Sequence, residues 1–191
     1  MGYVNNEQII DFKSKITSDP STLGKIYKAK KSPNYIISVD HNLVEDKLKE
    51  GWIVNSILKT KTKLSKEKIH SKKFEDDIWC QFYELGFRTL NIDENLELPF
   101  SKNPNDKKQI DVIAVNNETA IIIECKSSAK LKKAPSYKDE FDLLGLRLDG
   151  FSKVLKQVFN NSIKVKFIFA TRNLRIDPES IDMERFFKTR S

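Results

Sequence analysis

The strongest pattern of hydrophobic positions lies at residues 109–126, QIDVIAVNNETAIIIECK. Residues 110–115 are apolar apart from Asp111, and residues 120–125 are apolar and largely β-branched apart from Glu124. Such runs are typical of strands that are buried on both faces of a sheet. The four residues between them, NNET, are frequent in turns. The sequence therefore predicts a β-hairpin in the middle of the chain.

The turn fixes how the two strands of this hairpin pair. If residues 116–119 form the loop, counting back along both strands places Asp111 opposite Glu124. Residues that face each other across a strand pair share one side of the sheet, with Cβ atoms about 4.5–5.5 Å apart. Lys126 follows two residues after Glu124 and points to the same side. We therefore expect two carboxylates and an ammonium group together at one end of a hydrophobic sheet.

Two carboxylates this close repel, and each disfavours ionisation of the other. A hard divalent cation removes the conflict, because Mg²⁺ binds oxygen ligands and takes one or two protein carboxylates with phosphate and water. The alternative is a cross-strand salt bridge in which Lys126 neutralises both acids. Asp40, Glu45 and Lys47 match the same loose spacing, but they lie in a polar, helix-like segment and not on an apolar strand.

Apolar spacing along the rest of the chain predicts further helices and strands. Helices are expected at residues 6–16, 42–50, 74–85 and 141–159, and a last short helix is expected after Asp177. Strands are expected at residues 35–39, 52–58, 87–98 and, as an inner strand, 165–170, and residues 23–31 could form a further short strand. Gly145 and Gly150 weaken the prediction of a helix at 141–159.

Three polar segments separate the predicted elements. The lysine-rich segment 59–73 is either a solvated linker or a phosphate-contacting surface, and segments 99–108 and 127–138 are expected to be loops near the cleft.

We therefore expect an N-terminal α/β appendage at residues 1–62 and an α/β core at residues 63–191. The appendage is expected to be structural or accessory, with DNA contact as the alternative.

Composition limits the function classes further. The 191-residue chain has no apolar run close to the roughly 20 residues of a membrane span, and its N-terminus does not match a signal peptide. Cys80 and Cys125 suggest neither a disulfide framework nor a zinc cluster, which fits a cytoplasmic protein. His41 and His70 lack metal-site spacing and are expected at the surface. The net charge of +7 is consistent with a polyanionic partner.

Asp111 and the segment Glu124-Cys125-Lys126 resemble the active-site motif of the PD-(D/E)XK nuclease superfamily, with Ile110 in place of the usual proline. Residues 73–87, KFEDDIWCQFYELGF, resemble the first core helix of its Mrr-type restriction endonuclease branch. Upstream, GWIVNSILKTKTKL resembles the nuclease-like region of bacterial DGQHR-domain proteins, although the chain has no DGQHR motif. The resemblance covers roughly residues 51–171.

This resemblance implies a restriction-endonuclease-like αβββαβ core, in which helices flank a central mixed sheet. It implies that Asp111, Glu124 and the backbone carbonyl of Cys125 hold Mg²⁺, for which Mn²⁺ can substitute. Glu75 would complete the metal shell directly or through water, and Lys126 would orient or activate the attacking water.

Glu75 also has an ordinary explanation, since an acid in the first turn of a helix interacts favourably with the helix dipole, by about 0.3–1 kcal/mol. Asp76 and Asp77 could serve that purpose equally well. Glu75 is chosen over them because it follows Phe74, as the pattern of the resembled family requires.

The expected function is metal-dependent endonucleolytic cleavage of DNA, with a role in restriction or defence that the resemblance implies. The lysines expected to contact the DNA backbone are Lys72, Lys73, Lys130, Lys132 and Lys133. One alternative is a DNA-binding module with a weakly active or inactive nuclease fold, and another is a nuclease for branched DNA or RNA. A homodimer is a further expectation, and so is an additional domain beyond this chain. No membrane partner is expected.

Overall fold

A computed structural model describes residues 3–92, 94–134 and 137–175 of the chain. Its centre is a five-stranded mixed sheet with helices on both faces, accompanied by a three-stranded sheet and a two-stranded sheet. The predicted mixed α/β class, with a mixed central sheet flanked by helices, is confirmed. None of the helices described is long and apolar enough to span a membrane.

The helices and strands alternate along the chain. The α-helices are α1 (Asn6–Ser14), α2 (Pro20–Lys31), α3 (Val44–Lys49), α4 (His70–Glu84) and α5 (Lys138–Val158). The strands are β1 (Ile16–Thr17), β2 (Asn34–Asp40), β3 (Ile53–Ile57), β4 (Lys61–Glu67), β5 (Thr89–Asn91), β6 (Glu97–Pro99), β7 (Lys107–Gln109), β8 (Val112–Val115), β9 (Thr119–Lys133) and β10 (Lys164–Arg175).

The central sheet has the strand order β1-β5-β8-β9-β10. Strands β8 and β9 form the predicted antiparallel hairpin, in which Val115 pairs with Ala120 and Val112 pairs with Ile123. The backbone N–H of Asn116 donates to the carbonyl of Thr119 and closes the turn at 3.0 Å. Strand β10 runs parallel to β9 at the edge of the sheet, so the expectation of an inner strand at residues 165–170 was wrong.

Apolar side chains leave β8 and β9 alternately towards the two faces, as the period of a strand requires. One cluster buries Ile113 and Ile122 against Phe151 of α5, and α1 packs on the same face. The other cluster buries Ile123 against Trp79 of α4, and α2 packs beside it. The hairpin is therefore covered on both faces, which explains its nearly uninterrupted apolar sequence.

The N-terminal region supplies strands to both the central sheet and the three-stranded sheet. Strand β1 pairs with β5 in the central sheet, and Phe12 of α1 is fully buried in the core on the α5 side. Strands β2, β4 and β3 form the separate three-stranded sheet. The domain boundary expected at residue 62 stays a prediction, but residues 3–31 pack on the central sheet. Residues 23–31 belong to helix α2 and not to a strand, because Asp19 caps this helix and Pro20 begins it.

Two lysine-rich segments that were expected to be linkers or loops form strands. The first contains β4, the middle strand of its sheet, in which Thr62 and Leu64 face inward while lysines alternate with them. The second continues β9 as far as Lys133, where it pairs with Arg175 at the end of β10. The segment at residues 87–98 divides into β5 and β6, because β6 pairs with β7 in a two-stranded sheet. The final helix expected after Asp177 lies outside the described residues.

Candidate active site

Asp111 lies one residue before β8, at the end of the central hairpin. Its Oδ2 accepts a 2.7 Å hydrogen bond from the backbone N–H of Cys125. Burial, assisted by the neighbouring carboxylates Glu124 and Glu75, raises the pKa of Asp111 to about 6, although the Cys125 hydrogen bond and the charge of Lys126 oppose this rise. Within the described residues Asp111 has no ion-pair partner. Its negative charge is therefore poorly compensated.

Glu124 projects from β9 and is only 6% exposed. Its two carboxylate oxygens have separate ammonium partners. Nζ of Lys108 lies 2.8 Å from Oε2, and Nζ of Lys126 lies 3.0 Å from Oε1. The predicted proximity of Glu124 and Lys126 on one face of the sheet is confirmed. The charge of Glu124 is thus compensated from two sides, unlike that of Asp111.

Lys126 bridges the sheet and helix α5. Besides Glu124, its ammonium contacts Oε1 of Glu140 in the first turn of α5 at 2.9 Å. Burial lowers the pKa of Lys126, but the hydrogen bonds to Glu140 and Glu124 outweigh this effect and raise the pKa above its ordinary value. Lys126 is therefore a fixed cation at neutral pH, able to stabilise negative charge but poorly suited to accept a proton.

Glu75 lies on α4, which covers the opposite face of the sheet from α5. Its Oε2 is 3.2 Å from Nζ of Lys72, and its charge contributes to the raised pKa values of Asp111 and Cys125. No three acidic, histidine or cysteine side chains within the described residues are grouped closely enough to hold a metal ion. Glu75 is thus an electrostatic neighbour of the Asp111 side chain and not part of a closed ligand set.

Lys72 and Lys73 lie in ion pairs at the start of α4. Lys72 is 8% exposed and contacts Glu94 at 2.9 Å in addition to Glu75, while Lys73 contacts Glu67 at 2.6 Å. A phosphate contact, as the sequence suggested for both lysines, would have to compete with these carboxylates. Lys72 in particular is buried among acids, so it contributes no exposed charge to a nucleic-acid surface.

A buried ion cluster next to Lys72 was not predicted from the sequence. Asp76, which is 2% exposed, contacts Nζ of Lys30 at 2.6 Å and Nζ of Lys68 at 2.8 Å. Lys68 also donates to the carbonyls of Ala29 and Lys30 at the end of α2. The cluster joins α2, α4 and the segment after β4.

Lys130, Lys132 and Lys133 lie on the exposed extension of β9 beyond the hairpin core. This extension and β10 form a two-stranded ribbon whose register shifts opposite Asn173. Asn173 has a positive φ of 57° and donates its side-chain amide to the carbonyl of Ser128 at 3.0 Å. The three predicted lysines are therefore brought together on one projecting ribbon.

Sequence reasoning missed Lys108 and Glu140 as partners of the central acids. Lys108 belongs to a segment that was expected to border the cleft, but nothing in its spacing singled it out. Glu140 lies just before the helix predicted at residues 141–159, whereas the structure places it in the first turn of α5.

The two histidines lie at the surface, as expected, and the cysteine thiols form no disulfide. Both cysteines are free thiols, and burial raises the pKa of Cys80 to about 11 and that of Cys125 above its ordinary range. His41 and His70 are exposed, and Nδ1 of His41 lies 2.9 Å from Oγ1 of Thr62.

Comparison with known proteins adds no family to this picture. No protein-family model, no curated protein and no solved structure matches the chain.

Proposed function

We propose that the chain is a metal-dependent nuclease that hydrolyses phosphodiester bonds in DNA. The observation that carries this proposal is the pairing at the end of the central hairpin. The undercompensated carboxylate of Asp111 lies beside Glu124, with the fixed ammonium of Lys126 at the same end of the sheet. The resemblance of this segment to the PD-(D/E)XK motif and the order of elements α4, β5, β8, β9, α5 and β10 support it.

The donor chemistry of the site fits a hard cation. Asp111 and Glu124 would supply carboxylate oxygens, which Mg²⁺ and Mn²⁺ prefer. The N–H of Cys125 points to Asp111, and in an extended strand the carbonyl of a residue points to the same side as its N–H, which supports the Cys125 carbonyl as a third ligand. Lys108 is the competitor of the cation, since its ammonium occupies one oxygen of Glu124.

Divalent metal ions bound at such sites polarise phosphate and lower the pKa of a bound water. Lys126 would stabilise the negative charge that develops on the phosphate, because it remains protonated at neutral pH. Glu140 would keep the Lys126 ammonium in position from helix α5. Glu75, on the α4 side, would act through water or through the field it exerts on Asp111.

The β9–β10 ribbon would hold the nucleic-acid backbone. It carries Lys130, Lys132 and Lys133 on β9, the same strand that bears Glu124 and Lys126. Lysines contact phosphates without reading the base sequence, so this surface supports general affinity for DNA. A restriction or defence role rests on the resemblance alone.

The test is cleavage of supercoiled plasmid by the purified chain, with Mg²⁺, with Mn²⁺ and with EDTA. We expect nicked or linear plasmid only with a divalent cation, and no cleavage by Asp111→Ala or Glu124→Ala. Asp149→Ala is the matched control, because Asp149 is an exposed acid that pairs with Lys153 on the surface of α5. Metal-independent cleavage, or equal cleavage by Asp111→Ala, would contradict the proposal.

A DNA-binding module without activity is the second candidate. The two ammonium partners of Glu124 favour it, because they compensate this acid without any metal ion. Salt-sensitive DNA binding combined with no cleavage of plasmid, branched DNA or RNA would select this candidate. Cleavage of branched DNA or RNA alone would identify a nuclease of different substrate class.

A further inference from the structure

A large open cavity lies between the three-stranded sheet and helices α2 and α4. Its volume is about 880 Å³, and neither Asp111 nor Glu124 lines it. Sites for small molecules typically have volumes of about 300–1,000 Å³. The cavity is therefore large enough for a separate ligand, and the proposed cleavage chemistry does not account for it.

The apolar part of the cavity wall includes two aromatic side chains, Tyr35 on β2 and Trp52 just before β3. Both are half-buried, so part of each ring remains accessible. Aliphatic side chains also line this part of the wall, namely Ala29, Ile26, Ile36, Ile37 and Ile92. Accessible aromatic rings beside aliphatic side chains suit a flat aromatic ligand, which can stack on them.

The positive charges on the cavity wall are only partly balanced by acids. Five lysines and three acids line the cavity, and three of those lysines surround the buried carboxylate of Asp76. The other two, Lys28 and Lys66, form no ion pair within the described part of the chain. Nζ of Lys66 instead donates to the backbone carbonyl of Glu50 at 2.6 Å. The cavity thus has an excess of positive charge that an anionic group would balance.

We propose that this cavity binds a nucleotide, with its base against Tyr35 and Trp52 and its phosphate at Lys28 and Lys66. An aromatic base and an anionic phosphate match the two parts of the wall. A long acyl anion matches it less well, because Tyr35 and Trp52 offer accessible rings for stacking that an acyl chain does not use. The nucleotide is either free or an unpaired nucleotide of a bound strand, since both present the same chemistry. The site is distinct from the proposed cleavage site.

The test uses AMP as the free probe and two DNA duplexes, one fully paired and one with a single extrahelical adenine. Lys28→Gln/Lys66→Gln removes both cations from the cavity, and Lys130→Gln/Lys132→Gln removes two exposed lysines from the ribbon as the matched control. We expect the Kd of the probe to rise by roughly 10-fold or more in the cavity variant, because hydrogen bonds to charged groups are lost. The control should leave AMP binding, and the preference for the extrahelical adenine, unchanged.

The two probes distinguish the source of the nucleotide. Measurable AMP binding assigns a free nucleotide, and preference for the extrahelical adenine over the paired duplex assigns a nucleotide of a strand. If the cavity variant loses its melting transition, Trp52→Leu replaces it and should weaken the same probe.

Three results would overturn the inference. They are absence of AMP binding together with equal affinity for both duplexes, wild-type affinity in the cavity variants, and displacement of AMP by decanoate at lower concentration than by a second nucleotide. Asp111→Ala keeps the two proposals apart, because it should abolish cleavage while leaving AMP binding unchanged.

Discussion

The backbone N–H of Cys125 donates a 2.7 Å hydrogen bond to Oδ2 of Asp111, just beyond Val112 and Ile123, the last paired residues of the central hairpin. The side chain of Asp111 thereby continues the connection between the two strands after their regular pairing ends. Burial nevertheless raises the pKa of this carboxyl to about 6. Asp111 is thus held in place at a position where its ionisation is unfavourable, which is common for residues with a functional role.

Replacement of Asp111 by asparagine should stabilise the fold at neutral pH. The pKa of Asp111 is higher in the folded state than its ordinary 3.8, so the folded chain binds the proton more tightly than the unfolded chain between about pH 4 and pH 6. Wild-type stability should therefore fall as the pH rises through this window and stay lower above it. Asp111→Asn removes this cost and keeps an acceptor for Cys125, so it should be roughly 1–3 kcal/mol more stable at pH 7.

Urea unfolding of the wild type and Asp111→Asn between pH 4 and pH 7 measures this difference. The stability gap should open with rising pH and remain constant above about pH 6. Asp149→Asn, at an exposed site on α5, should show no such gap. A gap that closes with rising pH would contradict the raised pKa of Asp111.

Lys126→Ala should abolish cleavage while leaving DNA affinity nearly unchanged. The ammonium of Lys126 lies beside Glu124, whereas backbone attraction is shared among many lysines of the chain. Plasmid cleavage and fluorescence-anisotropy titration with a duplex separate the two effects. Cleavage at the wild-type rate would make Lys126 only a structural partner of Glu124 and Glu140.

Two glycines of helix α5 should respond oppositely to replacement by alanine. A Cβ atom at Gly150 would lie 2.1 Å from the carbonyl oxygen of Phe100, whereas one at Gly145 would meet no atom within 4 Å. Gly150→Ala should therefore destabilise the fold by about 1–3 kcal/mol through overpacking. Gly145→Ala should stabilise it by about 0.5–1 kcal/mol through helix propensity. Thermal unfolding of both variants provides the comparison, and a destabilised Gly145→Ala would show that this part of the helix packs differently.

Replacing Lys130, Lys132 and Lys133 by serine should weaken binding to all duplex sequences alike. Each phosphate contact on duplex DNA contributes a slope of about −0.9 to the dependence of log K on log[salt]. The triple variant should therefore flatten this slope by up to roughly 2–3 units. Anisotropy titrations at several salt concentrations measure the slope. An unchanged slope would remove the ribbon from the DNA-binding surface.

The central hairpin could be predicted from the sequence because the residues that determine it are close together in the chain. The turn at residues 116–119 fixes the register, and the register fixes which side chains share a face. The placement of Glu124 beside Lys126 follows from the period of a strand. The contact between Lys108 and Glu124 could not be obtained in this way, because it depends on how the β6–β7 hairpin folds back over the sheet.

The two lysine-rich strands were not predicted, because the many lysines in both segments made them resemble polar linkers or loops. In β4, Thr62 and Leu64 are buried between exposed lysines, which is the period of a half-buried strand. In the β9 extension all residues from Ala129 to Lys133 are exposed. The sequence therefore has no hydrophobic alternation there from which a strand could be predicted. The β9 extension is held as a strand by its backbone pairing with β10 and not by burial of its side chains. Lys72 has Glu75 and Asp76 as neighbours on α4, but its contact with Glu94 joins separate segments of the chain and has no local signal. The same holds for the contact of Lys68 with Asp76.

Calorimetric titration of Mn²⁺ tests the central claim, that Asp111 and Glu124 hold one divalent cation, most directly. At pH 7 the wild type should bind about one ion per chain, and binding should weaken below pH 6 as Asp111 takes up a proton. Asp111→Ala and Glu124→Ala should lose this binding, while Asp149→Ala should keep it. Equal Mn²⁺ binding by the wild type and Glu124→Ala, or no binding by the wild type, would contradict the account.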